Sequence, residues 1–278
     1  SSFRQWEPKP WEPKGSQNFM LQLISTYFRL GALNELQYRA NFWINLLQSS
    51  LALLSALAGM GVIFYHTDAL GGWQPMELLA LLGIYFLMSG FINTLVQPSM
   101  ERFLQDIRQG TFDFVLTKPR DAQLLTSIRR SSIWSLMDVL LGAGVLIFAL
   151  VRLGRGVSLP QALGFLVVLA AGAVIVYSFW LMLATTAFWF INVENVLVVF
   201  QSMYQAGRWP VSIYPNLLRV VLTFLIPVAF AVTVPAEAVV GRLTWPTLAT
   251  SLGLALAIFV AARLFWLRGV RSYSGASA

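Results

Sequence analysis

Cysteine is absent from this sequence, histidine occurs once, and charged residues make up only 11% of its 278 residues. Such a chain cannot form disulfides, thiol nucleophiles, or metal sites built from cysteines or several histidines. Soluble domains usually carry about 25% charged residues, so the low charge argues against an aqueous environment. Hydrophobic residues instead make up 57%, more than a soluble core of this length can bury. Lipid is therefore expected to surround most of the chain.

Lysine is also scarce, and none of the three lysines follows a glycine. A Walker A phosphate loop requires a Gly-Lys pair, because the lysine and the loop amides hold the phosphates together. Lys9 and Lys14 follow prolines and Lys118 follows a threonine, so no nucleotide site is predicted. The single histidine, His66, falls in a predicted outer loop, which disfavours a serine-histidine membrane protease. We expect no enzyme and no cofactor in this chain, so that any ATP would be hydrolysed on a separate subunit.

Long apolar runs predict an all-α integral membrane protein, because a membrane helix needs about 20 apolar residues. The uninterrupted runs predict six transmembrane helices, at 42–65, 76–96, 132–150, two within 161–209, and 248–266. One more apolar stretch, 217–240, is interrupted by Pro227 and Pro235.

The distribution of basic residues predicts the orientation of these helices, since lysine and arginine near span ends favour the cytosolic side. With the N-terminus inside, fourteen of the 19 basic residues fall on cytosolic segments and five on outer ones. The C-terminal arginines stay inside only if the number of crossings is even. We therefore expect 210–240 to form an outer re-entrant helical hairpin before the last span. Because the arginines are spread along the chain, nucleic acid is not expected as a partner.

The segment before the first span divides into two predicted parts. Residues 18–41 show apolar residues at helical spacing and predict an amphipathic interfacial helix lying on membrane lipid. A soluble helix packed on the protein's own cytosolic surface is the alternative. Residues 1–17 contain a repeated Trp-Glu-Pro-Lys sequence and predict a flexible Pro-rich cytosolic tail, whose role is open.

Asp138 is the one aspartate well inside a predicted span, where a carboxylate costs about 2.5–3.5 kcal/mol. It lies near enough to the inner boundary to reach Arg129 or Arg130. One interpretation is structural, with Asp138 fixing contacts between helices. The other is a proton or cation relay, which would make the chain an ion-coupled secondary transporter or channel.

The cytosolic loop 98–131 predicts two short amphipathic helices joined at Gly110 and ending before Pro119. Helical spacing places Phe112, Val115 and Leu116 on one face. We expect that face to be exposed and to suit a protein partner. The alternative is that these residues lie on the membrane surface.

Within this loop the sequence resembles the permease subunits of type-2 ABC exporters, in particular the daunorubicin-type or multidrug efflux branch. That branch carries an Ile-Arg-x-Gly-x-x-Asp-x-x-Leu-x-Lys-Pro pattern, which is matched here from Ile107 to Pro119. Prolines at 210, 215, 227 and 235 and the ending Tyr-Ser-Gly-Ala-Ser are also similar to the family. The resemblance covers 18–278, without the repeated tail.

The resemblance implies a six-span ABC permease domain over 18–278 in the bacterial inner membrane, with both termini cytoplasmic. A second permease, identical or related, would pair with it, and two ATPase subunits would carry ATP and Mg²⁺. The complex would move an amphiphilic or lipophilic compound, such as a drug, xenobiotic or lipid-like molecule, out of the cell.

The resemblance also implies roles for individual residues. The cytosolic loop 98–131 would be the coupling loop, and a substrate path would run between the second and fifth spans, although ordinary bundle packing explains the path residues equally well. The implied ATPase-coupling residues are Arg108, Gly110, Phe112, Asp113, Val115, Leu116, Lys118 and Pro119. The implied substrate-path residues are Tyr85, Met88, Asn93, Gln201, Met203 and Tyr204.

Overall fold

A computed structural model describes residues 39–154, 156, 158–190 and 194–273. Across those residues the chain is helical, and no strand forms, which confirms the predicted all-α membrane architecture. The predicted tail 1–17, nearly all of the interfacial helix 18–41, and the last five residues lie outside the described residues.

The first half of the chain contains two long helices followed by a segment of short ones. The second long helix continues through a π-helical turn, Ile92–Val96, without a break in direction. In chain order the helices are α1 (Arg39–His66), α2 (Pro75–Phe91), α3 (Gln97–Arg108), α4 (Asp113–Leu116) and α5 (Ala122–Ile128).

The second half alternates long helices with short, broken ones. Single 3-10 turns extend two of them, over Thr186–Phe188 and Gln205–Arg208. The helices are α6 (Leu136–Leu153), α7 (Leu159–Thr185), α8 (Glu194–Tyr204), α9 (Asn216–Val220), α10 (Val234–Val239) and α11 (Trp245–Ser272).

Five helices in the described residues are long and apolar enough to cross a membrane. The count becomes six if the bent pair Asn216–Phe224 and Ala229–Val239 forms one span. The two halves of that pair meet at 74°, because Pro227 cannot continue the helix and Ile226 before it is extended. Five of the predicted spans are therefore found. They are Asn41–His66, Pro75–Arg108, Leu136–Leu153, Leu159–Phe188 and Trp245–Ser272.

The predicted fifth span, in the second half of 161–209, is shorter than the sequence suggests. Helix α8 has 11 residues and rises about 16 Å, roughly half of a hydrocarbon core. The 3-10 turn after it adds about 8 Å. Gln201 on this segment donates to Gln97 at 3.1 Å, whereas Trp209 packs beside Gly59, toward the opposite end of the bundle.

Helices α2 and α6 form the most closely packed pair of the bundle, and glycine makes the close approach possible. A Cβ added to Gly83 would lie 2.7 Å from the backbone nitrogen of Leu146. A Cβ on Gly142 would lie 2.5 Å from the nitrogen of Leu87. Small residues let membrane helices approach until their backbones touch, so this pair is a rigid wall inside the bundle.

The broken segment 210–240 begins and ends beside the loop that joins α1 to α2. Near its start, Ile213 packs on Gly71, and just beyond its end Arg242 pairs with Glu77 at 2.5 Å. Arg242 also lies over the ring of Trp73 at 5.1 Å. The middle of the segment reaches α7, where the carbonyl of Phe230 approaches Gly172. The two ends of the segment therefore share one end of the bundle.

Candidate functional site: an elbow and a polar cavity

The segment of short helices between the second and third spans turns sharply after α3, and Gly110 makes the turn. Its φ of +66° is a left-handed conformation that favours glycine. The amide of Thr111 then donates to the carbonyl of Asp106 at 2.9 Å, which closes the end of the helix. We call residues 109–119, which follow α3 and include α4, the elbow.

The face of the elbow that the sequence assigns to a partner points into the protein instead. Phe112 and Val115 are buried, so the prediction that they form an exposed anchor is wrong. The spacing places them on one face, but periodicity does not reveal that the bundle itself covers that face. Leu116 lies at its edge and is exposed.

Phe112 belongs to a cluster of aromatic rings that joins the elbow to the ends of three long helices. We call this cluster the aromatic joint. Its ring centroids lie 5.2 Å apart for Phe112 and Phe103, and 5.5 Å apart for Phe112 and Tyr273. Edge-to-face packing at these distances adds to the burial of each ring. The joint comprises Phe103, Phe112, Phe188, Trp266 and Tyr273.

Asp106, in the last turns of α3, holds the start of the elbow through its contacts, and its side chain is 1% exposed. It pairs with Arg129 and, at 3.2 Å, with Arg102. The hydroxyl of Thr111 donates to it at 3.1 Å. A buried carboxylate is tolerated when its oxygens are paired and hydrogen-bonded in this way. Arg129 therefore pairs with Asp106 and not with Asp138, which the sequence offered as its partner.

The outward surface of the elbow contains other predicted coupling residues and one that the sequence reading missed. Arg108, Lys118 and Pro119 are exposed, and Asp113 is half-buried beside Tyr273. Burial and the neighbouring Asp113 raise the pKa of Tyr273. The missed residue is Phe114, whose side chain is 69% exposed. It lies two positions after Phe112, and so points away from the joint that holds Phe112.

Side-chain contacts hold helix α5 against two long helices, α7 and α11. Asp121 accepts the amide of Leu124 at 3.1 Å, which caps the helix, and it pairs with Arg263 of α11 at 2.5 Å. The hydrogen bond from Arg263 lowers the pKa of the Asp121 carboxyl. Ser127, near the other end of α5, hydrogen-bonds the hydroxyl of Tyr177 on α7 at 2.6 Å.

A cavity of about 530 Å³ opens among α1, α2, α6, α7 and α8. Four of the predicted substrate-path residues line it, namely Tyr85, Asn93, Gln201 and Tyr204. The other two do not. Met88 is buried next to Gly172, and Met203 is half-buried outside the lining.

Asp138 lines the same cavity and connects three helices. Ser49 of α1 donates its hydroxyl to one carboxylate oxygen. Asn93, just beyond α2, donates its amide to the other at 3.2 Å. This geometry agrees with the structural interpretation, because both oxygens are occupied by neutral donors. Among the described residues, no three histidine, aspartate or glutamate side chains lie close enough to one another to hold a metal ion.

Two cavity residues escaped the sequence reading. Arg208 lies with its guanidinium 5.4 Å from the ring centre of Tyr85, which in turn stacks on Tyr204 at 5.4 Å. Trp180 is 1% exposed and lies against Phe200. Hydropathy counts Arg208 as an outer loop charge and Trp180 as one apolar residue among many, so no sequence signal separates them from the rest.

Helices long enough to cross a membrane surround a cavity lined by polar and aromatic side chains, an arrangement that a membrane transport subunit could use. A family model described as "ABC-2 family transporter protein" matches residues 51–277, which is most of the chain. The chain belongs to this family and is the membrane permease of an ABC transporter, not its catalytic component. ABC-2 membrane subunits work with ATPase subunits. The type-2 ABC permease prediction is thereby confirmed, and the drug-efflux branch stays a prediction. Comparisons with curated proteins and with solved structures gave no match.

Proposed function

We propose that this permease exports an amphiphilic or lipophilic compound across a bacterial inner membrane. It works as a pair with a second permease, identical or related, above two ATPase subunits that bind ATP and Mg²⁺. The observation that carries the proposal is the family match over 51–277. The polar and aromatic cavity supports the choice of substrate, since both kinds of surface face the same space.

The proposed topology has six crossings with both termini in the cytosol. In it α8 and its 3-10 turn make a short fifth crossing, and 210–240 re-enters from the outside. The contacts of Gln201 with Gln97 and of Trp209 with Gly59 support the crossing, because they lie toward opposite ends of the bundle. The Arg242–Glu77 pair supports re-entry, because it brings the chain back to the end where the segment starts.

The proposed coupling element is the elbow, with its inner and outer faces doing different work. Phe114 and Leu116 form the apolar contact with the ATPase, flanked by Lys118. Phe112 and Val115 face inward and pass the motion to the bundle. An ATPase that moves the elbow would move α3 directly and α11 through the aromatic joint. Dense packing favours such transfer, since protein interiors are hardly compressible.

Replacing Phe114 by serine tests the coupling proposal. We expect ATP-driven transport in proteoliposomes to fall by about tenfold or more, with less ATPase subunit co-purifying, because apolar anchors dominate interface energies. Folding should be unchanged, since Phe114 makes little contact with the bundle. Phe190→Ser is the matched control, because Phe190 is 67% exposed after the end of α7 and lies outside the elbow. Unchanged ATPase stoichiometry with substrate-stimulated hydrolysis in Phe114→Ser would contradict the proposal.

A further inference from the structure

Three side chains that line the cavity bury a polar atom without a hydrogen-bond partner, namely Trp180, Tyr204 and Arg208. The Tyr204 hydroxyl can donate or accept, whereas the indole of Trp180 and the guanidinium of Arg208 can only donate. We infer that the transported compound is an acidic amphiphile, whose anionic head group binds Arg208 and Trp180 while its apolar part lies on the aromatic wall. This inference rests on the proposed export function and names the substrate class of its cavity. The head group is a carboxylate, phosphate or sulfonate, on a lipid or on a soluble compound.

Trp180 is the first of the two unpaired donors. Its side chain is buried, yet its indole Nε1 finds no hydrogen-bond partner among the described residues. An indole nitrogen can only donate. Buried donors are rarely left without an acceptor, and each exception calls for an explanation. An acceptor brought by a ligand supplies one here.

Arg208 is the second unpaired donor, and it adds charge. Its Nε is buried without a hydrogen-bond partner, and no ion pair engages its guanidinium in the part of the chain that the structure describes. The ring of Tyr85 attracts the guanidinium through a cation–π interaction. The ring carries no negative charge, so it does not form a salt bridge with Arg208. Guanidinium groups match carboxylate and phosphate geometry with two parallel hydrogen bonds.

Both carboxylates that line the cavity already accept hydrogen bonds from the protein. The Asp138 carboxylate receives the Ser49 hydroxyl and the Asn93 amide. Glu101 accepts the side-chain amide of Gln97 at 2.8 Å. Because both carboxylates are hydrogen-bonded within the protein and the buried Nε of Arg208 lacks a partner, the wall favours a ligand that brings acceptors and negative charge.

The remaining wall fits an apolar tail. Phe86 and Phe200 line the cavity together with the stacked rings of Tyr85 and Tyr204. A volume of about 530 Å³ lies within the range of roughly 300–1,000 Å³ typical of small-molecule sites. The cavity therefore accommodates a head group and part of a chain or ring system.

A matched pair of fluorescent probes tests the inference on the full chain in phosphatidylcholine nanodiscs. One probe is dansylamino-undecanoic acid, and the other carries a trimethylammonium group in place of its carboxylate. We expect the acid to bind about tenfold more tightly than the cation, and Arg208→Gln to remove that preference. Trp180→Phe should weaken the acid several-fold while keeping the aromatic surface. Arg152→Gln is the matched control, since Arg152 lies over Phe148 at 5.5 Å and does not line the cavity.

Each outcome decides the inference. Equal binding of both probes, no binding of either, or tighter binding of the cation that Asp138→Asn weakens would overturn it. Competition by phosphatidylglycerol added to the nanodiscs would identify a lipid source for the head group, and absence of competition a soluble one; both support the acidic class. Because the assay needs no ATPase, failure of the export proposal would appear separately, as acid binding without ATP-driven transport.

Discussion

The aromatic joint and the cavity bury polar groups in opposite ways. Beside the joint, Asp106 pairs with two arginines and accepts a hydroxyl, and Phe112 packs against neighbouring rings. In the cavity Trp180 and Arg208 keep buried donor atoms without partners. A buried polar cluster whose members are all hydrogen-bonded is held in one arrangement, because moving any member would break several hydrogen bonds. A cluster with unpaired donors is stabilised by a ligand that brings acceptors, so the difference supports the proposal that the elbow transmits motion and the cavity binds a ligand.

The largest expected effect comes from breaking the joint. Phe112→Ala should lower stability by about 3–5 kcal/mol, because it empties a fully buried site between the elbow and the bundle. The measurement is thermal unfolding of the detergent-solubilised chain, followed by tryptophan fluorescence. Binding of the acidic probe at temperatures where the variant is folded should be nearly unchanged, since Phe112 does not line the cavity.

Phe112→Leu provides the matched control for volume, and we expect a loss of stability of about 1–1.5 kcal/mol. Equal and small losses in both variants would show that the elbow is not anchored by this ring. The contrast between a packed joint and an open cavity would then be lost.

Asp138 tests the cavity side of the comparison, with a smaller expected effect. Asp138→Asn should cost about 1–2 kcal/mol, because an amide can replace only some of the bonds from Ser49 and Asn93. Most ATP-driven transport in proteoliposomes should survive. Asp68→Asn, in the exposed outer loop, is the control for loss of one negative charge.

A different result with Asp138→Asn would favour the ion-coupled alternative. Transport abolished in a folded complex that still hydrolyses ATP would show that the Asp138 carboxylate relays protons or cations. Transport by the wild-type chain alone, driven by an ion gradient without ATP, would point the same way.

Much of the fold could be predicted because membrane spans are a local property. A run of about 20 apolar residues is sufficient to identify a span without knowing its neighbours. The turn at Gly110 is also local, since it depends on the conformational freedom of one residue. Helix α8 was harder, because the apolar run that contains it has no sequence signal that marks where the helix stops.

The site could be predicted only in part, because side-chain direction depends on contacts distant in sequence. Phe112 faces inward owing to Phe188 and Trp266, which lie some 76 and 154 positions later in the chain. Arg208 becomes a cavity residue through its position over Tyr85. Charge counting places Arg208 outside the membrane, and periodicity gives Phe112 a face without saying what covers that face.

The smallest predicted effect concerns the ion pair between Asp121, at the start of α5, and Arg263 of α11, both of which are partly exposed. The hydrogen bond from Arg263 lowers the pKa of Asp121 below its ordinary value of 3.8. The pair therefore stabilises the fold above that value, and its contribution is lost as the pH falls below 3.8 through the lowered pKa. Exposure limits the contribution to about 1 kcal/mol or less.

Asp121→Asn isolates this charge effect, because asparagine can still cap α5 at the amide of Leu124. We expect the variant to unfold at a slightly lower temperature than wild type at pH 7, and the difference to shrink to zero as the pH is lowered past the Asp121 pKa. The measurement is the unfolding midpoint of both proteins in the same detergent, from about pH 7 down to about pH 2, so that the range passes below the lowered pKa of Asp121. A difference that persists at the acid end would show that Asp121 acts through shape or capping and not through its charge.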